Sequence, residues 1–350
     1  ATLYERHNIS KGMGGISMPL VKDFFIGISN NTFLNKLAKS IGPTLGANRV
    51  VAGNTMDQLI DTIQKLNDKG ITVTVDKLGE FVENEGEAIL AKHEILEVMY
   101  AINNHNVDAH MSVKLSQLGS EFDLELAYRN LREILLKANE FGNMHINIDT
   151  EKYDSLADIT QTIDRLKGEF KNVGTVIQAY LYKADDLVDK YPELRLRMVK
   201  GAYKEKEDIA YQTKEDIDRN YIHLIEKRLN NADHVTSIAT HDDKIINHVK
   251  QYVKDHNIER DQFEFQMLYG FRSELAEEIA NEGYNFCVYV PYGDDWFSYF
   301  MRRLAERPQN LNLAFKEFVT PESLKKTGFV AGALVGFGVV AGLVTKFAKK

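Results

Sequence analysis

Between residues 71 and 290, short apolar runs alternate with longer stretches whose apolar positions recur every three or four residues. The short runs lie at 71–78, 109–115, 145–149, 173–180, 196–201, 235–240, 263–268 and 286–290, and their length and content predict strands. The longer stretches, at 87–103, 124–141, 155–168, 220–232, 242–256 and 272–282, predict helices with one apolar face. Strands that alternate with helices pair in parallel, and eight such units predict a (β/α)8 barrel. No G-x-G-x-x-G follows any of the runs, which argues against a Rossmann domain.

Ahead of the first run, Phe24, Phe25, Ile28, Phe33, Leu34, Leu37, Ala38 and Ile41 approximate a helical stripe. Residues 56–66 give another, with Asn54 or Thr55 as its cap. The division expected is therefore a helical arm over 1–68, an α/β barrel over 69–320 and an apolar, glycine-rich tail over 321–350. Residues 328–345 carry no charge and are flanked by Lys325, Lys326, Lys346, Lys349 and Lys350. As a helix they would extend about 27 Å, marginally enough for a bilayer core. Gly328, Gly332 and Gly336 repeat at the spacing that lets membrane helices approach closely. The same glycines weaken an isolated helix, so a membrane anchor and a buried apolar tail both stand.

With 350 residues, 44% of them hydrophobic, the chain can bury one barrel-sized core, and only six prolines argue against a string of small domains. The formal charge is −8 without a basic stripe, so nucleic acid is not an expected partner. Cys287 is the one cysteine, which excludes an internal disulfide or a cysteine metal cluster and suits a reducing compartment. Its place in an apolar strand predicts a packed thiol. Residues 1–15 are polar and glycine-dotted, unlike a secretory leader, and a cytoplasmic protein is expected.

Barrels carry their chemistry at the carboxyl ends of the strands, which selects Glu80, Lys114, Asp149, Gln178, Lys200, Thr240 with His241, Leu268 with Tyr269, and Tyr289. Lys114 is a compact cation for an anionic or electron-rich group, or an ordinary solvent-facing strand end. Asp149 anchors Lys114 across the mouth or caps the helix that follows. Arg197 within an apolar strand needs an acid or a ligand, and Gly201 lets the backbone approach a planar group. His241 has no second ligand at metal spacing beside it, and no metal is expected. After the last strand, Asp294 or Asp295 can cap a helix carrying Arg302 and Arg303 about 100° apart. Both can grip one carboxylate, or both can pair with Glu306.

Read together, these segments resemble the proline dehydrogenases of the monofunctional bacterial type. The likeness rests on L-G-E at Leu78–Glu80, S-V-K-L at Ser112–Leu115, D-x-E at Asp149–Glu151, R-x-V-K-G-A-Y at Arg197–Tyr203, A-T-H at Ala239–His241, E-F-Q-x-L-x-G at Glu264–Gly270, and Y-V-P-Y-G-D-D-W-F-S-Y-F-M-R-R over 289–303. It runs from about Arg49 to Pro308, and the motifs fall in one order. It implies a distorted TIM-type (β/α)8 barrel that binds FAD and oxidises L-proline to Δ1-pyrroline-5-carboxylate, the first step of proline catabolism, with electrons passed on to a membrane quinone. It implies that Lys114, Asp149, Tyr203, Leu268, Tyr289, Arg302 and Arg303 serve the substrate. Gln178, Arg197, Val199, Lys200, Gly201, Thr240 and His241 would serve FAD, and Glu80 would pair with an arginine of the last helix as a gate. Asp242 stands where the family has asparagine and places a negative charge there. A quinone acceptor gives the tail a purpose, holding a cytoplasmic enzyme at the inner face of the cell membrane through 328–345. Two other readings stand: a dehydrogenase for hydroxyproline or another cyclic imino acid, and a non-catalytic, membrane-tethered flavin or imino-acid binding protein.

Overall fold

The structure, a computed structural model, describes residues 51–53, 55–79, 82–293 and 299. Apart from Tyr299, these belong to one unit, Asn48–Trp296. Eight parallel strands close on themselves in chain order: β1 (Thr72–Lys77), β2 (Ala109–Lys114), β3 (Ile146–Asp149), β4 (Val173–Gln178), β5 (Arg195–Val199), β6 (Thr236–Ala239), β7 (Phe263–Leu268) and β8 (Phe286–Tyr292). Closure is made by β8 on β1, in a register running from Thr72 opposite Cys287 to Lys77 opposite Tyr292. The expected barrel is the one found, with β8 reaching two residues past its predicted end.

Each strand alternates its two faces. One face is apolar and buried under the helices: Val73 and Val75, Met111 and Val113, Ile146 and Ile148, Leu196 and Met198, then Phe263, Phe265 and Met267. The other face fills the barrel and is largely polar. From β5, Arg197 reaches Thr74 of β1, Ser112 of β2 and Asp149 of β3, contacts possible only through the interior.

The described helices are α1 (Met56–Asn67), α2 (Glu85–His105), α3 (Leu124–Glu140), α4 (Leu156–Leu166), α5 (Ala184–Lys190), α6 (Lys214–Asn231), α7 (Asp243–Asp255) and α8 (Ser273–Asn281). Their starts follow the side-chain chemistry of helix ends. Thr55, Asn84, Asp123, Thr213 and Asp242 each accept a hydrogen bond from a backbone N–H of the first turn. The spacing in α7 buries Ile245, Ile246, Val249 and Val253. At ~1.5–3 kcal/mol for each buried side chain, that stripe holds the helix on the barrel. A charge at Val249 would break it.

Two arginines, Arg195 half-buried and Arg228 buried, fix the amino-terminal side. Arg195 pairs with Glu264 at 2.5 Å, while Ser237 and Gln266 donate to the same oxygen at 2.6 Å. Among the described residues no carboxylate accepts a hydrogen bond from Arg228 of α6. It donates to the carbonyls of Tyr191, Pro192 and Leu194, the stretch between α5 and β5. Burial lowers its guanidinium to about 10. Among the described residues no helix is long and apolar enough to cross a membrane, and 328–345 lie outside them.

Candidate active site

The carboxyl ends of β1, β2, β3, β5 and β8 bring one hydrogen-bonded cluster together. Lys114, the last residue of β2, places its Nζ 3.0 Å from both Asp76 oxygens and 3.8 Å from Asp149 Oδ2. Asp149, the last residue of β3, accepts at Oδ1 from Arg197 Nη1 at 2.7 Å and from Asn147 Nδ2 at 3.0 Å. Its Oδ2 accepts from the Tyr289 hydroxyl at 2.8 Å. The other Arg197 arm, Nη2, donates to Ser112 Oγ at 2.7 Å, and Thr74 and Ser112 share a hydroxyl contact of 2.9 Å.

Four ionised side chains thus lie buried or nearly so with their charges balanced, Asp76 and Asp149 against Lys114 and Arg197. Desolvation alone makes any one of them costly, so the cluster stands or falls as a set. Burial first, and the charge of Asp149 second, push the Tyr289 phenol well above its ordinary value. Tyr289 therefore stays a donor to Asp149, and its ring lies 5.2 Å from the Arg197 guanidinium carbon.

The sequence reading offered Asp149 as an anchor of Lys114 or as a helix cap. The structure keeps Asp149 within ion-pair distance of Lys114, at 3.8 Å, and adds Asp76 as the nearer acid, at 3.0 Å, while Arg197, Tyr289 and Asn147 donate to Asp149. Asp76 was missed because it sits beside Lys77 near the end of a strand. Its signal was parity with Thr74, which places it on the inward face.

A second cluster gathers at β4, β5 and β6. Gln178 donates to the Glu151 carbonyl at 2.9 Å. Thr240 Oγ1 accepts from the Asp242 N–H, which bends the chain into α7. Lys200 lies 2.9 Å from Asp242 and 2.5 Å from Asp218. Burial would raise the Asp242 carboxyl, but the Lys200 hydrogen bond and charge outweigh it and hold Asp242 below its ordinary value. The acid at the family's asparagine position is therefore charged, with Lys200 as its counter-ion. His241 Nε2 accepts from the Leu268 N–H at 3.2 Å, so its ring proton is on Nδ1. That bond ties the end of β6 to Leu268, the last residue of β7, which stands beside Tyr289 in the sheet.

Gly201 has φ of +110°, and a Cβ there would lie 2.2 Å from Tyr180 Cδ1. The glycine that the sequence assigned to a planar ligand accommodates the ring of Tyr180. Tyr203 and Val199 are half-buried at this end. Glu80, Arg302 and Arg303 lie outside the described residues. Cys287 is buried, its thiol pushed up to about 12 by burial, as a packed thiol requires.

Among the described residues, Arg197 Nε is one of several buried polar atoms that make no hydrogen bond. A buried N–H beside a charge-balanced mouth suits an electron-rich ligand atom.

Comparison with known proteins bears on this arrangement. The family model described as proline dehydrogenase matches residues 59–314. Proline dehydrogenase 2 of Bacillus subtilis (strain 168) is 43% identical over 299 residues, covering 85% of this chain and 98% of that protein. Proline dehydrogenase of Deinococcus radiodurans is 40% identical over 271 residues, covering 75% and 87%. Among solved structures, proline utilization A from Bdellovibrio bacteriovorus, inactivated by N-propargylglycine, superposes with a TM-score of 0.72 at 22% identity. This chain covers 38% of that longer protein and shares its barrel fold over 86% of its own length.

Proposed function

The chain belongs to the proline dehydrogenase family, and from that membership we propose that it oxidises L-proline to Δ1-pyrroline-5-carboxylate with FAD as cofactor. The observation that carries the reading is the buried, charge-balanced set of Asp76, Lys114, Asp149 and Arg197 at the strand ends. Such a set is expensive to maintain and matches a substrate that is itself a small zwitterion.

FAD, when bound, supplies a ring that accepts hydride. Arg197, with its unused Nε, and Gln178, Lys200, Thr240 and His241 are the donors that would hold it, with Val199 and Gly201 supplying backbone. The donor set fits a ring edged with nitrogen and oxygen acceptors and carrying a pyrophosphate. The substrate loses a hydride from the ring carbon beside nitrogen and a proton from the nitrogen, which leaves a C=N bond.

Lys114 contributes positive charge toward the substrate carboxylate. Arg302 and Arg303 are assigned to the same carboxylate on their motif. Leu268, Tyr203 and Tyr289 provide apolar and aromatic surface that orients the ring and keeps water away. In this reading Glu80 gates the pocket and a membrane quinone takes the electrons. The tail at 328–345 brings the enzyme to the cytoplasmic face of the membrane.

The test is turnover by purified protein carrying FAD, with L-proline and an artificial electron acceptor. Proline-dependent reduction of the acceptor supports the reading. A flavin-loaded protein that oxidises hydroxyproline or another imino acid in preference to proline would overturn it.

A further inference from the structure

We propose that Asp76 is a positioning residue for substrate binding, acting through Lys114. The proposal rests on the reading of the barrel mouth as the proline site. Asp76 is 2% exposed and lies on the inward face of β1. Both of its oxygens stand 3.0 Å from Lys114 Nζ.

The neighbouring acid cannot take over this task while the cluster is intact. Asp149 gives one oxygen to Arg197 and Asn147 and the other to Tyr289, and its contact with Lys114 is 3.8 Å. Two carboxylates and two cations are therefore divided into preferred pairs, Asp76 with Lys114 and Asp149 with Arg197. Asp76 decides which acid the lysine leans on. Without it, the next carboxylate for the ammonium among the described residues is Asp149, and a shift toward Asp149 competes with Tyr289 and Arg197 for the same oxygens.

The consequence concerns binding more than the chemical step. An ammonium displaced by about 1 Å meets the substrate carboxylate out of place, and losing one charge-assisted contact weakens binding by about tenfold to a hundredfold. Asp76→Asn is close in shape and removes the charge.

The experiment measures kcat and KM for L-proline in the flavin-loaded protein and in Asp76→Asn, Lys114→Met and the double variant. The expected result is a KM about tenfold or more higher in Asp76→Asn, a smaller change in kcat, and no further rise in KM when Asp76→Asn is added to Lys114→Met. An unchanged or lower KM in Asp76→Asn, or additive effects in the double variant, would overturn the proposal. If Asp76→Asn does not fold, melting temperatures decide. Lys114→Met strands a buried carboxylate, so the double variant should melt higher than Lys114→Met alone, and a double variant that melts no higher overturns the pairing. Failure of the unaltered protein to oxidise proline would count against the functional reading instead, because the pairing is still read from the melting temperatures.

Discussion

Arg197 Nη1 of β5 donates to Asp149 Oδ1 of β3 at 2.7 Å, and both side chains are almost wholly removed from water. The bond spans the barrel interior, so it joins strands that do not touch in the sheet. Asp149→Asn would leave the arginine buried against a neutral partner. The expected loss is about 3–5 kcal/mol, read as a lower denaturation midpoint with an unchanged slope. Tyr289→Phe removes one donor to the same carboxylate and should cost about 1.5–3 kcal/mol. A loss below 0.5 kcal/mol in Asp149→Asn would contradict the geometry.

Acid should weaken the fold through the histidines at the barrel's amino-terminal end. His110 and His145 stack edge to face at 5.1 Å. Burial first, then the charge of Arg195, hold both well below the ordinary value of 6.5. The folded chain keeps them neutral, whereas the unfolded chain protonates them below about pH 6.5. Their contribution is complete above that pH and is lost as pH falls toward the lower folded values. For His110, 8% exposed, the loss approaches about 1.4 kcal/mol per pH unit. Melting curves of the protein and of His110→Gln from about pH 7.5 to about pH 5.5 test this. The variant should lose less over that interval, and parallel curves would rule the histidine out.

How far the sequence carried this picture differs by residue. The strands announced themselves because each has one apolar face buried under helices, and the pattern counted eight. Helix α5 went unread because Ala184–Lys190 spans barely two turns, too short to display a period. The polar interior was less legible. Thr74, Ser112, Asn147 and Ser237 are small enough to pass inside apolar runs, and only their parity marks them as one lining. Motif likeness found Lys114, Asp149 and Arg197 but not Asp76, since an acid beside Lys77 reads as a strand end. Gly201 was read for a planar ligand alone, because nothing in the chain shows that Tyr180 packs against it.

Gly201→Ala should be severe for two separable reasons. The positive φ costs more than 1 kcal/mol for a residue with a Cβ, and that Cβ would strike the Tyr180 ring. In a Tyr180→Ala background Gly201→Ala should keep the backbone part of its loss and shed the steric part. Comparing the midpoint loss that Gly201→Ala causes in the unaltered protein and in Tyr180→Ala separates the two, and an equal loss in both would mean the ring yields on its own.

Arg302 and Arg303, known here from sequence alone, carry a sharper kinetic expectation. Replacing both by Ala should raise the KM for proline at least a hundredfold, since charge-assisted bidentate contacts to the substrate carboxylate are lost. FAD content, read from absorbance after purification, should stay unchanged. A normal KM would remove the two arginines from the carboxylate site.

Reduction of a bound flavin by proline is read from an anaerobic absorbance titration of the purified, flavin-loaded protein with L-proline. The oxidised-flavin band should bleach in proportion to added proline until the flavin is fully reduced. A flavin that stays oxidised at saturating proline would contradict the proposed function.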